Sequence, residues 1–256
     1  MTAMRVAAAL FLSLSFVTLK AADAAPPSID EIVQKNTQAR GGLDKIRAIQ
    51  TLKLVGTAQI NGSIQAEITV QAKRPNLFRM DLNLPQGALT EAFDGTDAWG
   101  VNPFTGGPGA QKHDAAESRT AIDNADMDGP LVDYKARGNQ VELLGTEDVG
   151  GNPAYKLRVT TKGGTVSTLW IDQKTWHEAK MVQSRKQNGQ DVDVSITFSN
   201  FKPVNGVIMP LTHEQQVGPI SMKIDFASAQ ANQPIDDTIF HMPAAVPAAA
   251  SSTAQK

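Results

Sequence analysis

The sequence contains no cysteine, which excludes disulfide bonds and a cysteine-linked lipid anchor. Aromatic residues amount to only 5%, and neither sign of charge dominates, since the formal net charge is -2. Such a near-neutral chain lacks the electrostatic footprint of a protein that binds nucleic acid or an anionic membrane surface. With 256 residues, of which 41% are hydrophobic, the chain can still stabilise a folded domain without disulfide bonds.

Long apolar runs are absent too, with one exception near the N-terminus. Arg5 is followed by a mostly apolar stretch from Val6 to Leu19, and Ala22-Asp23-Ala24 then supplies small residues. This order is typical of a secretion signal that is cleaved after export. A membrane anchor fits less well, because the stretch is too short to span a bilayer and ends at Lys20. We therefore expect a signal peptide over 1–24 and an exported mature protein.

Helix signals are few. Ser28 is placed as the N-cap of a short helix that ends at Gly41-Gly42, and Leu43–Ile49 can add one further helical turn. Asp114 is placed to cap a second helix over Ala115–Ala125, which carries alanine and isoleucine at helical spacing. The sequence thus predicts two helical segments and one extra turn.

Strand signals occupy most of the remaining chain. Apolar and polar residues alternate from about Thr51, and Asn61-Gly62 is a strong signal for a hairpin turn. Pro75 marks a corner between two further alternating runs. From Val141 the chain is nearly all of this type, and Asn188-Gly189 predicts a further hairpin turn there. Roughly ten or more short strands in one antiparallel sheet must curl or close. A filled barrel, a sandwich and a curled sheet with a cavity roofed by helices all satisfy the pattern.

The C-terminal residues have a different composition. From residue 244 the chain consists of alanine, proline, serine, threonine, glutamine, valine and lysine without periodicity. This composition predicts a disordered tail over 244–256. The part between the two ends, 25–243, is predicted to be a single domain.

No strong catalytic or metal-binding motif is present. The histidines at 113, 177, 213 and 241 lie far apart, and His177-Glu178 is expected to face solvent. The run from Asn124 to Gly129 begins like a calcium loop, but its twelfth position is Lys135, where a bidentate glutamate is needed. Asp191 and Asp193 share a strand face, which predicts the polar side of a sheet rather than a pair of catalytic acids. We therefore expect neither an enzyme nor a cofactor.

One block of the sequence is distinctive. Lys73-Arg74-Pro75-Asn76-Leu77-Phe78 is followed by Phe93-Asp94-Gly95, by Trp99 and by Asn102-Pro103-Phe104. This block resembles the matching segment of the LolA-like family, which comprises periplasmic carriers of outer-membrane lipoproteins. The resemblance implies a mainly β (α+β) fold: an incomplete, strongly curved antiparallel β-barrel with short lid helices over an apolar cavity. In the family that cavity takes the acyl chains of a lipoprotein.

Two residue roles follow from the resemblance alone. Arg74 matches the lid arginine of the family, which bonds lid backbone carbonyls in the closed state, and Phe78 matches an aromatic residue at the cavity mouth. The alternatives are a surface cation beside a proline and a core phenylalanine. The chain also departs from the better-known carriers through an extended section from Gly138 to Thr161 and through its tail, so fold transfers more safely than cargo.

The apolar residues of the alternating runs are the candidate wall of the cavity: Leu54, Ile68, Val70, Met80, Leu82, Phe93, Trp99, Ile196, Phe198, Met209, Leu211, Met222, Ile224 and Phe226. The resemblance implies acylated lipoproteins or lipids as partners of a monomer, with an inner-membrane donor complex and an outer-membrane acceptor. Two other hypotheses remain open. The protein can be a periplasmic sensor or scaffold that binds lipid without transferring it, or an unrecognised hydrolase that depends on a carboxylate such as Asp193.

Overall fold

The computed structural model describes residues 26–104, 109–187 and 190–244. Three predictions lie outside these residues: the signal peptide over 1–24, a hairpin turn at Asn188-Gly189, and the tail 244–256 beyond its first residue. The fold below is that of the described residues.

The described residues form three α-helices and one short 3-10 helix. Two of the α-helices begin at the predicted capping residues, Ser28 and Asp114. The Ser28 hydroxyl accepts a hydrogen bond from the Glu31 amide at 3.2 Å, and the Asp114 carboxylate accepts from the amides of Ala116 and Glu117, both at 2.8 Å. These side chains satisfy amide groups that the first helical turn leaves unpaired. The helices are α1 (Ile29–Ala39), α2 (Leu43–Ala48), α3 (Ala115–Ala125) and the 3-10 helix η1 (Asp237–Phe240).

The described residues contain thirteen strands, all in one antiparallel sheet. Asn61 and Gly62 both have positive φ, as the predicted tight hairpin requires. The strands are β1 (Thr51–Ile60), β2 (Ile64–Lys73), β3 (Leu77–Leu84), β4 (Gly87–Phe93), β5 (Ala98–Val101), β6 (Gln111–Lys112), β7 (Gln140–Val149), β8 (Asn152–Thr160), β9 (Val166–Asp172), β10 (Glu178–Gln187), β11 (Gln190–Val204), β12 (Val207–Val217) and β13 (Ile220–Ala231).

The sheet consists of two meanders joined at their middle. Its strand order is β6-β5-β4-β3-β2-β1-β13-β12-β11-β10-β9-β8-β7, so each strand except at the central joint pairs with its neighbour along the chain. The joint is the pairing of β1 with β13. Gly56 allows a close approach there, because a Cβ atom at this position would lie 2.1 Å from the Asp225 carbonyl oxygen.

Helix α3 shows that the sheet is strongly curled. It contacts β3, β4 and β5 on one side and β10 on the other. Five strands separate β3 from β10 in the sheet order, which on a flat sheet would place them about 29 Å apart. An 11-residue helix is only about 16 Å long. Both sets of strands can therefore reach α3 only if the sheet wraps around it, as an incomplete barrel that the strand order leaves open between β6 and β7.

We call the side of the sheet that faces α3 the inner face. Residue pairing fixes its members, because directly paired residues point to the same side. Val70 pairs with Leu54 in β1 and with Met80 in β3, while Phe78 pairs with Phe93 in β4. The inner face is thus the apolar half of the alternating pattern.

A C-terminal strap, residues 235–240, covers part of the opposite, outer face. The Phe240 side chain is fully buried, and its carbonyl oxygen accepts a hydrogen bond from Trp99 Nε1 at 2.8 Å. Arg79 donates to the Ile239 carbonyl at 2.7 Å, and its guanidinium lies 5.6 Å from the Trp99 ring centroid. Lys73 donates to the Ile235 carbonyl at 3.1 Å. The strap therefore fastens β2, β3 and β5 from outside.

Replacement of Phe240 tests the strap. Phe240→Ala should lower the free energy of unfolding by about 3–5 kcal/mol, because it opens a cavity where a fully buried ring stood. Phe104→Ala is the matched control, since the Phe104 ring is 61% exposed. Urea titration followed by tryptophan fluorescence measures both. Equal small losses in the two variants would show that the strap adds no stability.

Candidate functional site

The inner face brings most of the predicted wall residues into one apolar cluster. Ile68, Leu82, Ile224 and Phe226 are buried in it, each no more than 6% exposed. The predicted residues that pack partly buried against the same cluster are Leu54, Val70, Met80, Leu211 and Met222. Methionine side chains adapt to irregular neighbours, which suits a surface that contacts variable apolar chains.

A second cluster lies directly beneath α3. Phe78 and Phe93 of the inner face pack with Ala98 against Ala121 and Ala125 of the helix. Phe78 is 5% exposed, so with α3 in this position its ring is covered rather than open to solvent. The small alanine side chains let the helix approach the two phenylalanine rings closely.

The remaining predicted wall residues lie at the sides of these clusters. Met209 packs with Ile46 and Ile49 beneath α2. Ile196 and Phe198 lie on the inner face of β11, where Ile196 pairs with Met181 of β10. Both positions extend the apolar surface towards β10.

Trp99 is a correction to the predicted wall. Phe93 pairs with Ala98 across the β4–β5 turn, so Trp99 pairs with Ala92 and points to the outer face. Its burial there comes from the C-terminal strap through the hydrogen bond to Phe240. The prediction was wrong because the apolar character of a residue does not by itself reveal which face of a strand it occupies.

A cavity of about 110 Å³ remains between the helices and the inner face. An apolar cavity of about 150 Å³ holds one benzene molecule, so this space cannot hold a long acyl chain while the helices stay in place. Three of the predicted site residues line this cavity, namely Val70, Phe78 and Met209. The other lining residues are Ile46, Ile49, Leu52, Ala72, Met127 and Val207, together with Arg40 and Asn124.

Arg74 ties α2 to the sheet. Its Nε donates to the Ile49 carbonyl at 2.8 Å, and its Nη2 donates to the Ile46 carbonyl at 3.1 Å. Nη2 also bonds the carboxylate of Asp128, which follows α3 in the chain. The planar guanidinium offers several donors in a fixed geometry, so one side chain can hold three acceptors at once. Arg74 thus connects the β2–β3 turn with both segments that cover the cavity.

The segment after α3 uses its acidic residues as arginine partners. Asp126 bonds Arg137, Asp128 bonds Arg74, and the Asp128 carbonyl accepts from Arg40 at 2.8 Å. These are carboxylates of the calcium-like run in the sequence. Sequence spacing could not reveal their partners, because the arginine of the β2–β3 turn is 54 residues away from Asp128.

The prediction that His177-Glu178 faces solvent was also wrong, because both side chains are partly buried. Glu178 pairs with Ile171 on the inner side of β10, and burial raises its pKa to about 7 although Arg40 lies near enough to oppose the shift. His177 packs against the Phe201 ring at 4.6 Å between centroids, and burial lowers the pKa of its imidazole. The adjacent turn, in which Trp176 has positive φ, breaks the simple alternation on which the prediction depended.

His213 is a polar group within the apolar inner face. It pairs with Phe198 and Ile224, and its ring meets the rings of Phe198 and Phe226 edge-on at 5.1 and 5.4 Å. Burial lowers the pKa of His213 to about 4. The imidazole is therefore neutral at ordinary pH. An isolated histidine in an alternating strand gives no sequence signal for this position.

A second polar group lies at the N-terminus of α3. His113 Nε2 lies 2.7 Å from Glu91 Oε2 of the inner face, and Nδ1 lies 3.6 Å from Glu117 Oε2 of the helix. The hydrogen bond with Glu91 raises the pKa of His113. The helix is thus held at its start by this group and just beyond its end by the Arg74–Asp128 pair.

Comparisons with known proteins agree with this architecture. No family model matches the chain, and no curated protein matches it. Among the solved structures that align with it are a DUF1329 family protein from Desulfovibrio piger (TM-score 0.57, 13% identity, 83% of this chain and 97% of that chain), a domain described as an outer membrane lipoprotein-sorting protein from Vibrio parahaemolyticus (0.55, 11%, 82% and 94%), and a LolA superfamily protein from Nitrosomonas europaea (0.55, 13%, 84% and 98%).

The sheet and its helices define a class of protein, the incomplete antiparallel β-barrel with short helices over its inner face. Within that class, the chain has the LolA-like fold. Identities of 13% or less establish the fold alone. Among the described residues, none of the helices has the length and apolar content needed to span a membrane.

Loss of Arg74 should loosen the covering segments. Arg74→Leu leaves two carbonyls and the Asp128 carboxylate without this donor, which should lower the free energy of unfolding by about 2–4 kcal/mol. Arg47→Leu is the control, because its ion pair with Asp133 is exposed and should contribute less than about 1 kcal/mol. Urea unfolding measures both, and similar values for the two variants would contradict the assigned role of Arg74.

His213 should make stability depend on pH. Because its pKa falls from 6.5 to about 4 on folding, the unfolded state binds more protons between these values, and stability is lost as pH falls from 6.5 towards 4. The unfolding equilibrium constant should change by up to about tenfold per pH unit from this group. His213→Phe should flatten the slope of unfolding free energy against pH in this window, whereas His241→Phe, at an exposed position, should keep it. An unchanged slope in His213→Phe would refute the prediction.

Proposed function

We propose that the protein is a periplasmic carrier that binds the acyl chains of lipoproteins on its inner face and delivers them to the outer membrane. The observation that carries the proposal is an extensive, mainly apolar inner face that is covered by three short helices. The likeness in fold to a LolA superfamily protein and to a lipoprotein-sorting domain supports it. Signal cleavage after residue 24 would place the carrier in the periplasm.

Loading requires the helices to move, because the cavity of about 110 Å³ is too small for a fatty acyl chain. Burial of about 14 methylene groups at about 0.8 kcal/mol each yields about 11 kcal/mol. Opening of α2 and α3 must offset much of this gain, since otherwise the cargo would not leave. The three hydrogen bonds of Arg74, at about 1 kcal/mol or more each, provide a restraint of suitable size.

The proposed activity is an exchange between binding sites rather than a chemical reaction. It needs no cofactor and no catalytic residue, and a monomer suffices. Its partners are a donor at the inner membrane and an acceptor at the outer membrane. The polar residues of the inner face, such as His213, would then contribute to cargo binding and not to catalysis.

Native mass spectrometry tests the proposal directly. The mature protein is mixed with a triacylated lipopeptide and, separately, with the same peptide without acyl chains. A one-to-one complex with the acylated peptide alone supports acyl binding, and movement of that peptide from the complex to acceptor liposomes supports a carrier. Stable binding without transfer would favour a lipid or lipoprotein sensor of the same fold. No acyl-dependent complex would refute the proposal.

Filling of the cavity should block loading while the fold persists. Val70 lines the cavity and is only partly buried, so Val70→Phe occupies the space that an acyl chain would enter first. We expect at least about tenfold weaker binding of the triacylated lipopeptide, from the loss of roughly two methylene contacts. Val166→Phe is the matched control at a 41% exposed position. Equal affinity of both variants would place the acyl site elsewhere.

A further inference from the structure

A polar group interrupts the inner face where α3 meets β10. Gln183 and Arg185 project from β10 to this side, as their pairing with Val194 and Val192 of β11 shows. Gln183 is only 6% exposed although it is polar. A buried amide and a guanidinium on an otherwise apolar wall need partners, because burial of unpaired polar groups is costly.

The partner comes from the helix that covers the wall. Gln183 Nε2 donates to Asp123 Oδ2 of α3 at 3.1 Å. Arg185 Nε and Nη2 both point to Gln183 Oε1, at 3.3 and 3.2 Å. Thr165 supplies a further side-chain hydrogen bond to the Asp123 carboxylate. With α3 in place, the Asp123 carboxylate of the helix thus accepts a hydrogen bond from the Gln183 amide of the sheet.

Charge around Arg185 is balanced chiefly by that carboxylate. Asp123 and Glu91 are the two acidic groups that oppose the burial effect at Arg185. Glu91 already bonds His113 Nε2 at 2.7 Å. Burial lowers the pKa of Arg185 and raises the pKa of Asp123, so neither charge is well solvated in the covered state. When α3 lifts, Asp123 leaves with it, whereas Arg185 and Gln183 remain on the sheet.

An apolar path leads away from this polar group. Val194 and Ile196 follow on the inner face of β11, with exposures of 4% and 7%, and Met181 lies beside them on β10. Phe198 comes next on β11 and touches the His213 ring. A molecule with a charged head at Arg185 could therefore lay an alkyl chain along a wall that becomes apolar at once.

We propose that Arg185 and Gln183 form a subsite for the carboxylate head of a single-chain amphiphile, and that Asp123 occupies this subsite as an internal substitute while α3 is closed. The proposal rests on the proposed acyl-binding function and extends its ligands to free anionic lipids. A guanidinium beside an amide donor suits a carboxylate, which accepts several charge-assisted hydrogen bonds. The carboxylate of the ligand would then replace the Asp123 carboxylate at Arg185 and Gln183.

A matched pair of ligands tests the subsite. Binding of dodecanoate and of 1-dodecanol is measured at pH 7.5 by displacement of a fluorescent fatty-acid analogue from the full chain. Wild type should bind dodecanoate about tenfold more tightly than the alcohol, as expected for a charge-assisted hydrogen bond. Arg185→Met should reduce this preference to about twofold or less without a change in alcohol affinity. Arg158→Met, at an exposed position, is the control and should behave as wild type.

Replacement of Asp123 should change dodecanoate affinity in the opposite direction from replacement of Arg185. Asp123→Asn keeps the size of the side chain but removes the competing charge, so dodecanoate should bind at least about threefold more tightly, with the alcohol unchanged. Weaker dodecanoate binding in Asp123→Asn would overturn its role as a substitute. A full carboxylate preference in Arg185→Met, or none in wild type, would overturn the subsite and leave acyl binding intact. Failure of both ligands to bind wild type would refute the proposed function as well.

Discussion

The contact of α3 with the inner face is the interaction on which the rest of the structure depends. Ala121 and Ala125 pack on Phe78, Phe93 and Ala98 from one side of the curled sheet, while Asp123 reaches β10 on the other. A thirteen-stranded antiparallel sheet with one apolar face must cover that face with something. In this protein one 11-residue helix covers the central gap between the two walls.

The helix is suited to this position by a small number of polar anchors. His113 and Glu91 hold its start, Gln183 holds its middle through Asp123, and Arg74 holds the segment just after its end through Asp128. Each anchor contributes on the order of 1–3 kcal/mol, which is far less than the burial of an acyl chain yields. Anchors of this modest size are compatible with the helix movement that the proposed carrier function requires.

The alternating residues made much of the fold predictable. Capping residues placed α1 and α3, the Asn61-Gly62 pair placed a hairpin, and the period of two identified most of the inner face. Trp99 was assigned to the wrong face because the four-residue turn before β5 decides its side, and apolar character alone does not. The alternation also could not predict how the sheet curls, because a barrel, a sandwich and a curled sheet all show the same alternation of apolar and polar residues.

The candidate site was predictable only in part, for a physical reason. Arg74 was singled out through a family resemblance, and the structure adds that it donates to the carbonyls of Ile46 and Ile49 at the end of α2. Its bond to Asp128 joins residues that are remote in sequence, as does the bond between Asp123 and Gln183. Such polar pairs on an apolar face arise from the curl of the sheet, and no local sequence pattern reports them.

If the protein is the proposed carrier, α3 must leave the inner face before an acyl chain can enter. The chain has no cysteine, so a disulfide introduced by Ala98→Cys with Ala121→Cys would form without competition from native thiols. Binding of a triacylated lipopeptide is measured by native mass spectrometry before and after reduction. The oxidised protein should form no complex, and binding should return to the wild-type level once the disulfide is reduced. Equal binding by the oxidised and reduced forms would contradict it.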